Sequence, residues 1–247
     1  MSRTRLYSAT AIEDKSAIEL SGDQARYIGR VLRLRPHDEI TLFDGSGAEY
    51  RAIVVSISKN TVVLSITARV ERDVESPLRI HLLQGISRGE RMDFVVQKAT
   101  ELGVTQITPI LMEHSVVKLD AKRAEKRLQH WRGVASSACE QCGRNVLPVI
   151  NEATALRDWL GRNQDNPGTR VILRPGSEDS FKSVPDADDE VTLLIGPEGG
   201  FSEAEYELAE ITGFRPVGFG PRVLRTETAA LAAIAALQIL NGDLAAG

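Results

Sequence analysis

The first third of the chain alternates apolar and polar positions in short runs, which is the pattern of half-buried β-strands. It predicts three strands, at residues 39–43, 50–58 and 61–70. A short helix is predicted before them, at residues 23–32. Several short strands joined by turns that contain Gly and Asn are typical of a small β-barrel. We therefore expect an N-terminal β-barrel domain at residues 1–72.

Beyond Pro77 the pattern changes to apolar runs that alternate with helical periodicity. Met92, Val95 and Leu102, for example, share one face of a predicted helix that Gly103 ends. Strands are predicted at residues 79–86, 106–112, 170–173, 190–195 and 216–219. Helices are predicted at residues 88–102, 121–141, 156–160, 202–212 and 226–240. This alternation predicts an α/β domain at residues 73–247, with a mostly parallel sheet and helices on both faces.

The composition of the 247 residues is that of a soluble globular protein, with 42% hydrophobic and 26% charged residues. No apolar run approaches the roughly 20 residues that span a bilayer, and the first residues lack the apolar core of a signal peptide. The two cysteines, Cys139 and Cys142, are too few for a disulfide framework. We therefore expect a cytoplasmic protein that has no membrane contact.

The net charge of −4 hides an uneven distribution along the chain. Basic side chains are in excess in residues 1–72 and 79–145, whereas acidic side chains are in excess in residues 146–247. A polyanion such as RNA is therefore expected to contact the first two thirds of the chain.

Four arginines and a tyrosine lie close together around the predicted N-terminal helix. Arg26, Arg30 and Arg33 recur at helical spacing, so one helix face can follow phosphates. Arg35 follows them, and Tyr27 is available to stack on a base. The alternative is a solvated basic face without a partner. We expect this cluster to bind RNA.

The segment LLIGPEGGFSEAE, residues 193–205, places a glycine-rich turn between an apolar run and a helix start. Ser202 and Glu205 have the spacing of a capping box. A phosphate-binding P-loop needs a lysine that this segment lacks, and the glycine spacing is not that of a dinucleotide fold. Glu198 would also repel a phosphate. Two interpretations remain: a tight turn that needs positive φ angles, or a loop whose backbone approaches an uncharged ligand.

A second loop rich in glycine and proline follows about 20 residues later, in GFGPRVLRTETAALAAIAALQ, residues 218–238. Both loops leave the carboxyl ends of predicted strands, where open α/β sheets bind ligands. Their backbone groups can hold a flat heterocycle, and Arg222 and Arg225 add cations beside Val223 and Leu224. The two loops together therefore predict one ligand pocket.

These two loops also carry a family resemblance. IGPEGGFS, residues 195–202, and GPRVLRTETAA, residues 220–230, resemble the knotted, SPOUT-type methyltransferases, specifically the RsmE family that methylates N3 of a uridine in small-subunit ribosomal RNA. Further segments resemble this family in the same order: VLRLRPHDEITLFDGSG (31–47), RMDFVVQKATELGV (91–104), HSVVKL (114–119) and ACEQCGR (138–144). The resemblance covers nearly the whole chain. Tyr27 and His37 depart from the family pattern, which has histidine and glycine there.

The resemblance implies a PUA-like barrel for the N-terminal domain and a trefoil knot in the C-terminal one. It implies that S-adenosylmethionine binds in the knot, held by backbone groups of three loops. By position, those loops contain Leu173, Ile195, Gly196, Gly200, Phe219, Gly220, Val223, Leu224 and Thr226. The implied partners are ribosomal RNA or the small ribosomal subunit and a second copy of the chain, with the alanine-rich helix at 226–240 as a candidate dimer contact.

The proposed chemistry needs a base for the imide proton of uridine N3, or a cation that stabilises charge on the neighbouring carbonyl oxygens. Arg225 is the predicted cation, and Glu198 and Glu227 are the acidic candidates. The alternatives are structural: Glu227 as a first-turn carboxylate of its helix, and Arg225 as the partner in an ion pair. Arg91 and Arg144 complete the predicted RNA contacts, and by resemblance the segment of Arg144 lies near the partner subunit's active site.

The spacing Cys139-Glu-Gln-Cys142 is half of a zinc-site pattern, but no second cysteine pair or close histidine pair accompanies it. We therefore expect two small side chains on adjacent helix turns, and no metal.

Two other functions stay open at this point. A knotted enzyme that methylates a ribose 2′-hydroxyl would share the cofactor loops. A non-catalytic RNA-binding or ribosome-assembly factor would share the fold but not the chemistry. A phosphate-binding NTPase is excluded by the missing lysine.

Overall fold

The computed structural model describes residues 4–115, 120–164, 167–181, 184 and 189–245. Residues 116–119 of the HSVVKL segment lie outside these ranges. The chain divides into two compact units: Met1–Glu75 with Cys139–Leu147, and Ser76–Ala138 with Pro148–Gly247. The sequence predicts one boundary after residue 72, whereas the structure has it after Glu75 and adds a later segment to the N-terminal unit.

The N-terminal unit is built on one mostly antiparallel sheet. Its strands are β1 (Arg5–Tyr7), β2 (Ala17–Ser21), β3 (Glu39–Phe43), β4 (Ala48–Ile57) and β5 (Thr61–Glu71). They pair in the order β1-β3-β4-β5-β2, and the pair β1–β3 is parallel. Two register shifts between β4 and β5 are bulges of the kind that bend a sheet. Leu42, Val54 and Leu64 are fully buried in the core of this unit. The three strands predicted from the sequence are therefore β3 to β5.

The basic segment of this unit differs from the predicted helix. Helix α1 (Gly22–Arg26) continues as a π-helical turn, Tyr27–Val31, in which the N–H of Leu32 donates to the carbonyl of Tyr27 at 3.0 Å. Arg33 lies beyond that turn, with a φ of 54°. The prediction that Arg26, Arg30 and Arg33 share one helical face is therefore wrong, because the wider π turn changes the spacing and the helix ends before Arg33.

The segment Cys139–Leu147 is held in the N-terminal unit by hydrogen bonds. Asn145 accepts from the guanidinium of Arg5 at 2.8 Å and donates to the carbonyl of Arg72 at 3.0 Å. The guanidinium of Arg144 forms an ion pair with Glu75 at 2.6 Å, and only 5% of Arg144 is exposed. The sequence did not indicate these long-range contacts because they join positions about 70 and 140 residues apart.

The second unit contains a parallel sheet. Its strands are β6 (Arg79–Gly85), β7 (Gln106–Leu111), β8 (Val149–Ile150), β9 (Thr154–Ala155), β10 (Thr169–Leu173), β11 (Glu190–Ile195) and β12 (Arg215–Val217). The order is β12-β10-β11-β6-β7-β8, with β9 paired to β7. Each of these pairs is parallel. The α/β prediction is confirmed.

Helices cover both faces of this sheet. They are α2 (Glu90–Glu101), α3 (Ala121–Cys142), α4 (Leu156–Arg162), α5 (Glu203–Ile211) and α6 (Thr226–Asn241). Neighbouring residues of β6 point to opposite sides, because side chains alternate along a strand. Leu82 shares a core with Val95 of α2 and Ile234 of α6. Leu83 shares a separate core with Trp159 of α4 and residues of α5.

Candidate active site

Three parallel strands of the second unit end side by side and open into one cavity. The register pairs Ile172 of β10 with Leu194 of β11, and Leu173 of β10 with Val217 of β12. The carboxyl ends of parallel strands are where α/β folds bind ligands. The loops that follow these strands line a cavity of about 490 Å³. The two glycine-rich loops of the sequence thus lie at the same site, as predicted.

The cavity brings together every residue predicted to contact the cofactor. These residues are Leu173, Ile195, Gly196, Gly200, Phe219, Gly220, Val223, Leu224 and Thr226. The catalytic candidates Glu198, Arg225 and Glu227 line the same cavity, and so does Arg91. The structure thus shows that these residues line one cavity. Their roles in cofactor binding, catalysis and RNA binding stay predictions.

The glycine-rich loop after β11 is a tight turn anchored to the start of α6. The N–H of Gly200 donates to the carbonyl of Pro197 at 3.0 Å, and Gly200 has a φ of 70° that favours glycine. The carbonyl of Gly196 accepts from the hydroxyl of Thr226 at 2.5 Å. Ser202 and Glu205 form the predicted capping box at the start of α5. The loop is therefore fixed at both ends.

Two residues at the end of β6 support this loop and were not identified from the sequence. The amide of Gln84, which is fully buried, donates to the hydroxyl of Thr226 at 2.9 Å. A Cβ atom on Gly85 would lie 2.4 Å from the nitrogen of Pro197, so β6 approaches the loop more closely than any side chain permits. A lone Gln-Gly pair at a strand end carries no sequence signal for such a contact.

Glu198 is engaged in an ion pair at the cavity wall. Its carboxylate accepts from the N–H of Arg88 and from the guanidinium of Arg91, each at 2.9 Å. Partial burial raises the pKa of this carboxyl, but the hydrogen bonds from Arg88 and Arg91 outweigh that effect, and the pKa lies below its ordinary value. A carboxylate with a lowered pKa is a weak base, so this geometry suits Glu198 to holding Arg91 in place.

Arg174, another cation at the cavity, is also paired. Its guanidinium binds Glu210 at 2.9 Å and Glu203 at 3.1 Å, and it lies 4.7 Å from the ring centroid of Tyr206. These contacts join the loop after β10 to α5. No motif in the sequence indicates Arg174 as a site residue.

Arg225 and Glu227 flank Thr226 at the start of α6. The side chain of Arg225 is exposed, and the described part of the chain offers it no ion-pair partner. One carboxylate oxygen of Glu227, Oε2, is shielded from solvent and has no hydrogen-bond partner among the described residues. The cavity is therefore lined by an arginine that has no ion pair and by a glutamate that has one buried oxygen without a hydrogen bond, in both cases as far as the described residues show.

The basic residues predicted for RNA binding in the N-terminal unit have different environments. Arg26, Arg30, Arg33 and Arg35 are exposed, and 42% of Tyr27 is exposed. Arg26 forms an ion pair with Asp23. Arg144 is buried in its ion pair with Glu75, so an RNA contact by this side chain would require that pair to open. Its burial favours a structural role.

Within residues 4–115, 120–164, 167–181, 184 and 189–245, no three His, Cys, Asp or Glu side chains are grouped as metal ligands. None of the helices in those ranges has the length and apolar character needed to cross a bilayer. Cys139 is buried, and burial raises the pKa of its thiol to about 12.

Two protein-family models match the chain and define the class of protein to which it belongs. An RNA methyltransferase domain matches residues 74–238, and an RNA methyltransferase PUA domain matches residues 20–67. A cavity at the ends of parallel strands, bounded by the GPEGG and RVLRTETA loops, lies within the first of these matches. The fold is that of a SPOUT-type RNA methyltransferase joined to a PUA-like domain.

Individual relatives narrow this class to one family. The ribosomal RNA small subunit methyltransferase E of Buchnera aphidicola (strain Sg) is 38% identical over 97% of both chains. The structure of that enzyme from Neisseria gonorrhoeae, bound to S-adenosyl methionine, has a TM-score of 0.90 at 38% identity and covers 98% of this chain and 100% of its own. A Legionella pneumophila methyltransferase in complex with SAM has a TM-score of 0.94 at 39% identity, over 99% and 100%. The chain belongs to the ribosomal RNA small subunit methyltransferase E family.

Proposed function

We propose that this protein transfers a methyl group from S-adenosylmethionine to N3 of a uridine in small-subunit (16S) ribosomal RNA, in the cytoplasm. The observation that supports the proposal most directly is the cavity that contains all the residues predicted for cofactor binding and catalysis. The family, whose relatives are named for methylation of small-subunit ribosomal RNA, supports the substrate class.

The cavity has the properties that S-adenosylmethionine requires. Its volume of about 490 Å³ is that of a small-molecule site. Apolar side chains such as Ile195 and Leu224 line it beside exposed backbone of Gly196 and Gly220, so that an adenine ring can bind between them. Glu227, which lines the cavity and has one oxygen without a donor among the described residues, suits a positively charged ligand. Leu173, Phe219 and Thr226 complete the proposed contacts.

When bound, S-adenosylmethionine supplies an electrophilic methyl group on a sulfonium sulfur. The protein must place uridine N3 in line with that methyl and favour loss of the N3 proton. Arg225, which is exposed at the cavity and has no ion-pair partner among the described residues, stabilises the negative charge on the carbonyl oxygens beside N3. In this proposal Arg91, which Glu198 holds by an ion pair, contacts a phosphate of the RNA.

In this proposal the N-terminal PUA-like unit captures the RNA. The exposed Arg30, Arg33 and Arg35 provide charge for phosphates, and Tyr27 provides an exposed ring for stacking. The π-helical turn keeps Tyr27 and Arg30 within one short ordered segment.

We further propose that the protein is a homodimer. Apolar side chains remain exposed at the end of α6 and just after it: Ile239, Leu240 and Leu244, each at least half exposed. An apolar patch of this kind is typical of an interface between copies. Light scattering should give twice the chain mass for the wild type and the single-chain mass for Leu240→Glu; a wild-type monomer at micromolar concentration would contradict the dimer.

The decisive experiment for the activity uses purified protein, methyl-labelled S-adenosylmethionine and small subunits from cells that lack this modification. We expect label in one nucleoside, identified by mass spectrometry as N3-methyluridine, and a primer-extension stop at its position. A methylated ribose without a stop would indicate the 2′-hydroxyl alternative. No labelled nucleoside, together with RNA binding, would indicate a non-catalytic factor.

A further inference from the structure

The two carboxylates that line the cavity differ in their contacts. Glu198 accepts hydrogen bonds from Arg88 and Arg91. Glu227, in the first turn of α6, has its Oε2 shielded from solvent without a hydrogen-bond donor from any described residue. A carboxylate with one oxygen removed from water and without a donor is costly, and Glu227 also lines the cavity, so a positively charged ligand in the cavity beside it is favoured.

The side chains of Thr226 and Gln84, next to Glu227, do not donate to its Oε2. The hydroxyl of Thr226 donates to the carbonyl of Gly196 at 2.5 Å and accepts from the amide nitrogen of Gln84 at 2.9 Å. The amide oxygen of Gln84 is itself buried without a partner among the described residues. This part of the site is therefore rich in acceptor oxygens, and its hydroxyl proton is already used.

The cations of the cavity do not neutralise Glu227. Arg91 is paired with Glu198, and Arg174 is paired with Glu203 and Glu210. Arg222 and Arg225 have exposed side chains, and within the described part of the chain neither forms a hydrogen bond or ion pair with Glu227. The start of α6 provides only the partial positive charge of a helix N-terminus.

We propose that Glu227 is the residue by which this cavity distinguishes the charged methyl donor from the neutral product, an inference that rests on the proposed function. A sulfonium carries a full positive charge, which a nearby carboxylate attracts strongly in a partly buried site. S-adenosylhomocysteine has a neutral thioether at the same atom and gains nothing from that charge. Glu227 therefore favours donor binding and product release, and it acts as a specificity residue.

The test compares the two ligands in wild type and Glu227→Gln by calorimetry, without RNA. The substitution keeps the side-chain shape and removes the charge. We expect affinity for S-adenosylmethionine to fall about tenfold and affinity for S-adenosylhomocysteine to change by less than roughly twofold. Sinefungin carries a protonated amine in place of the sulfonium, so the affinity for it should fall by a factor similar to that for S-adenosylmethionine. Circular dichroism checks that the variant is folded.

Glu198→Gln is the matched control, because it removes a charge from the same cavity at a carboxylate that is already paired. It should change the affinities for donor and product by the same factor. Equal changes for both ligands in Glu227→Gln, or no change in either, would overturn the inference while leaving the proposed function intact. A wild-type protein that binds neither ligand would overturn both.

Discussion

The carboxylate of Glu198 lies 2.9 Å from the guanidinium of Arg91, and this ion pair joins the loop after β11 to the first turn of α2. The same carboxylate also accepts the backbone N–H of Arg88, so two consecutive contacts hold the loop against the helix. The loop belongs to the cavity wall, and the helix start presents Arg91 to it. The ion pair therefore serves to position both elements.

Loss of the Arg91 side chain should loosen this loop without unfolding the protein. Arg91→Ala is expected to weaken the binding of S-adenosylmethionine and of S-adenosylhomocysteine alike, by about threefold to tenfold. The free energy of unfolding should change by about 1 kcal/mol or less, because the pair remains partly exposed to solvent. Calorimetry and urea denaturation measure these quantities. Arg88→Ala keeps the backbone hydrogen bond and is the control; identical affinities in the two variants would contradict the positioning role.

Substitution of Gly200 or Gly220 should abolish cofactor binding but not folding. Both have a φ of 70°, and a Cβ at either position would meet no atom within 4 Å. Valine there is strained by roughly 1–3 kcal/mol and places its methyl groups beside or into the cavity. We expect folded variants without measurable S-adenosylmethionine binding.

Gly213 provides the control for that backbone strain. It has a φ of 90° and open space around its Cβ, and it does not line the cavity. Gly213→Val should lose similar stability and keep cofactor affinity. If Gly200→Val and Gly220→Val both bind as tightly as Gly213→Val, the assignment of these loops is wrong.

Removal of the Arg225 side chain should affect methyl transfer more than binding. Removal of one oxyanion-stabilising group typically lowers kcat by a factor of about 10²–10³. Arg225→Ala is therefore expected to lower single-turnover methylation of small subunits by about that factor, with S-adenosylmethionine affinity within roughly threefold of wild type. Arg222→Ala, which removes another exposed cavity-lining arginine, should cost far less. A wild-type rate for Arg225→Ala would remove this residue from the catalytic group.

The exposed arginines of the N-terminal unit and the buried Arg144 should behave in opposite ways. Replacing Arg30 and Arg33 with alanine should weaken RNA binding, with little loss of stability. The slope of log affinity against log salt concentration should fall by the contribution of about two phosphate contacts. Arg144→Ala leaves the carboxylate of Glu75, which is only partly buried, without its ion-pair partner, which typically costs about 1–3 kcal/mol. Filter binding across a salt series and urea denaturation test both expectations. A stable Arg144→Ala variant that loses RNA affinity would reverse the assignment for that residue.

The sequence predicted what depends on local pattern. The runs that became β6 and β11 are apolar at successive positions because they are buried on both faces, as Leu82 and Leu83 show. The spacing of Ser202 and Glu205 alone predicts the start of α5. The two glycine-rich loops were predicted to meet because both follow the carboxyl ends of parallel strands, which lie at one edge of the sheet. The knot was predicted only from the family resemblance, since knots are nearly absent under the ordinary rules of chain connection.

What the sequence could not predict depends on distant contacts or on unusual backbone. Gln84 and Gly85 matter because of atoms more than 100 residues away in the chain. The π-helical turn after Arg26 changes the number of residues per turn, so a prediction based on α-helical spacing fails there. His37 has a φ of 77°, in the region that favours glycine, and glycine is the residue that the family resemblance leads us to expect at this position.

His81 predicts a specific loss of stability in acid. It lies in β6, 8% exposed, and burial lowers the pKa of its imidazole from 6.5 to about 4. Thr108 accepts a hydrogen bond from Asn151 at 2.7 Å, so its hydroxyl proton is free to donate to the neutral ring of His81, also at 2.7 Å. The folded state therefore disfavours protonation.

The sign of the pH effect follows from these two pKa values. Between pH 6.5 and about 4 the unfolded chain binds a proton at His81 that the folded chain does not, so the stabilisation is complete above pH 6.5 and declines as pH falls towards 4. Its full size is about 3 kcal/mol at most. His81→Gln has no proton to bind, and its free energy of unfolding should fall less between pH 7 and pH 4.5 than that of wild type. Lowered pKa values at Asp44 and Glu198 act equally in both proteins, so parallel pH profiles would show that His81 is not the cause.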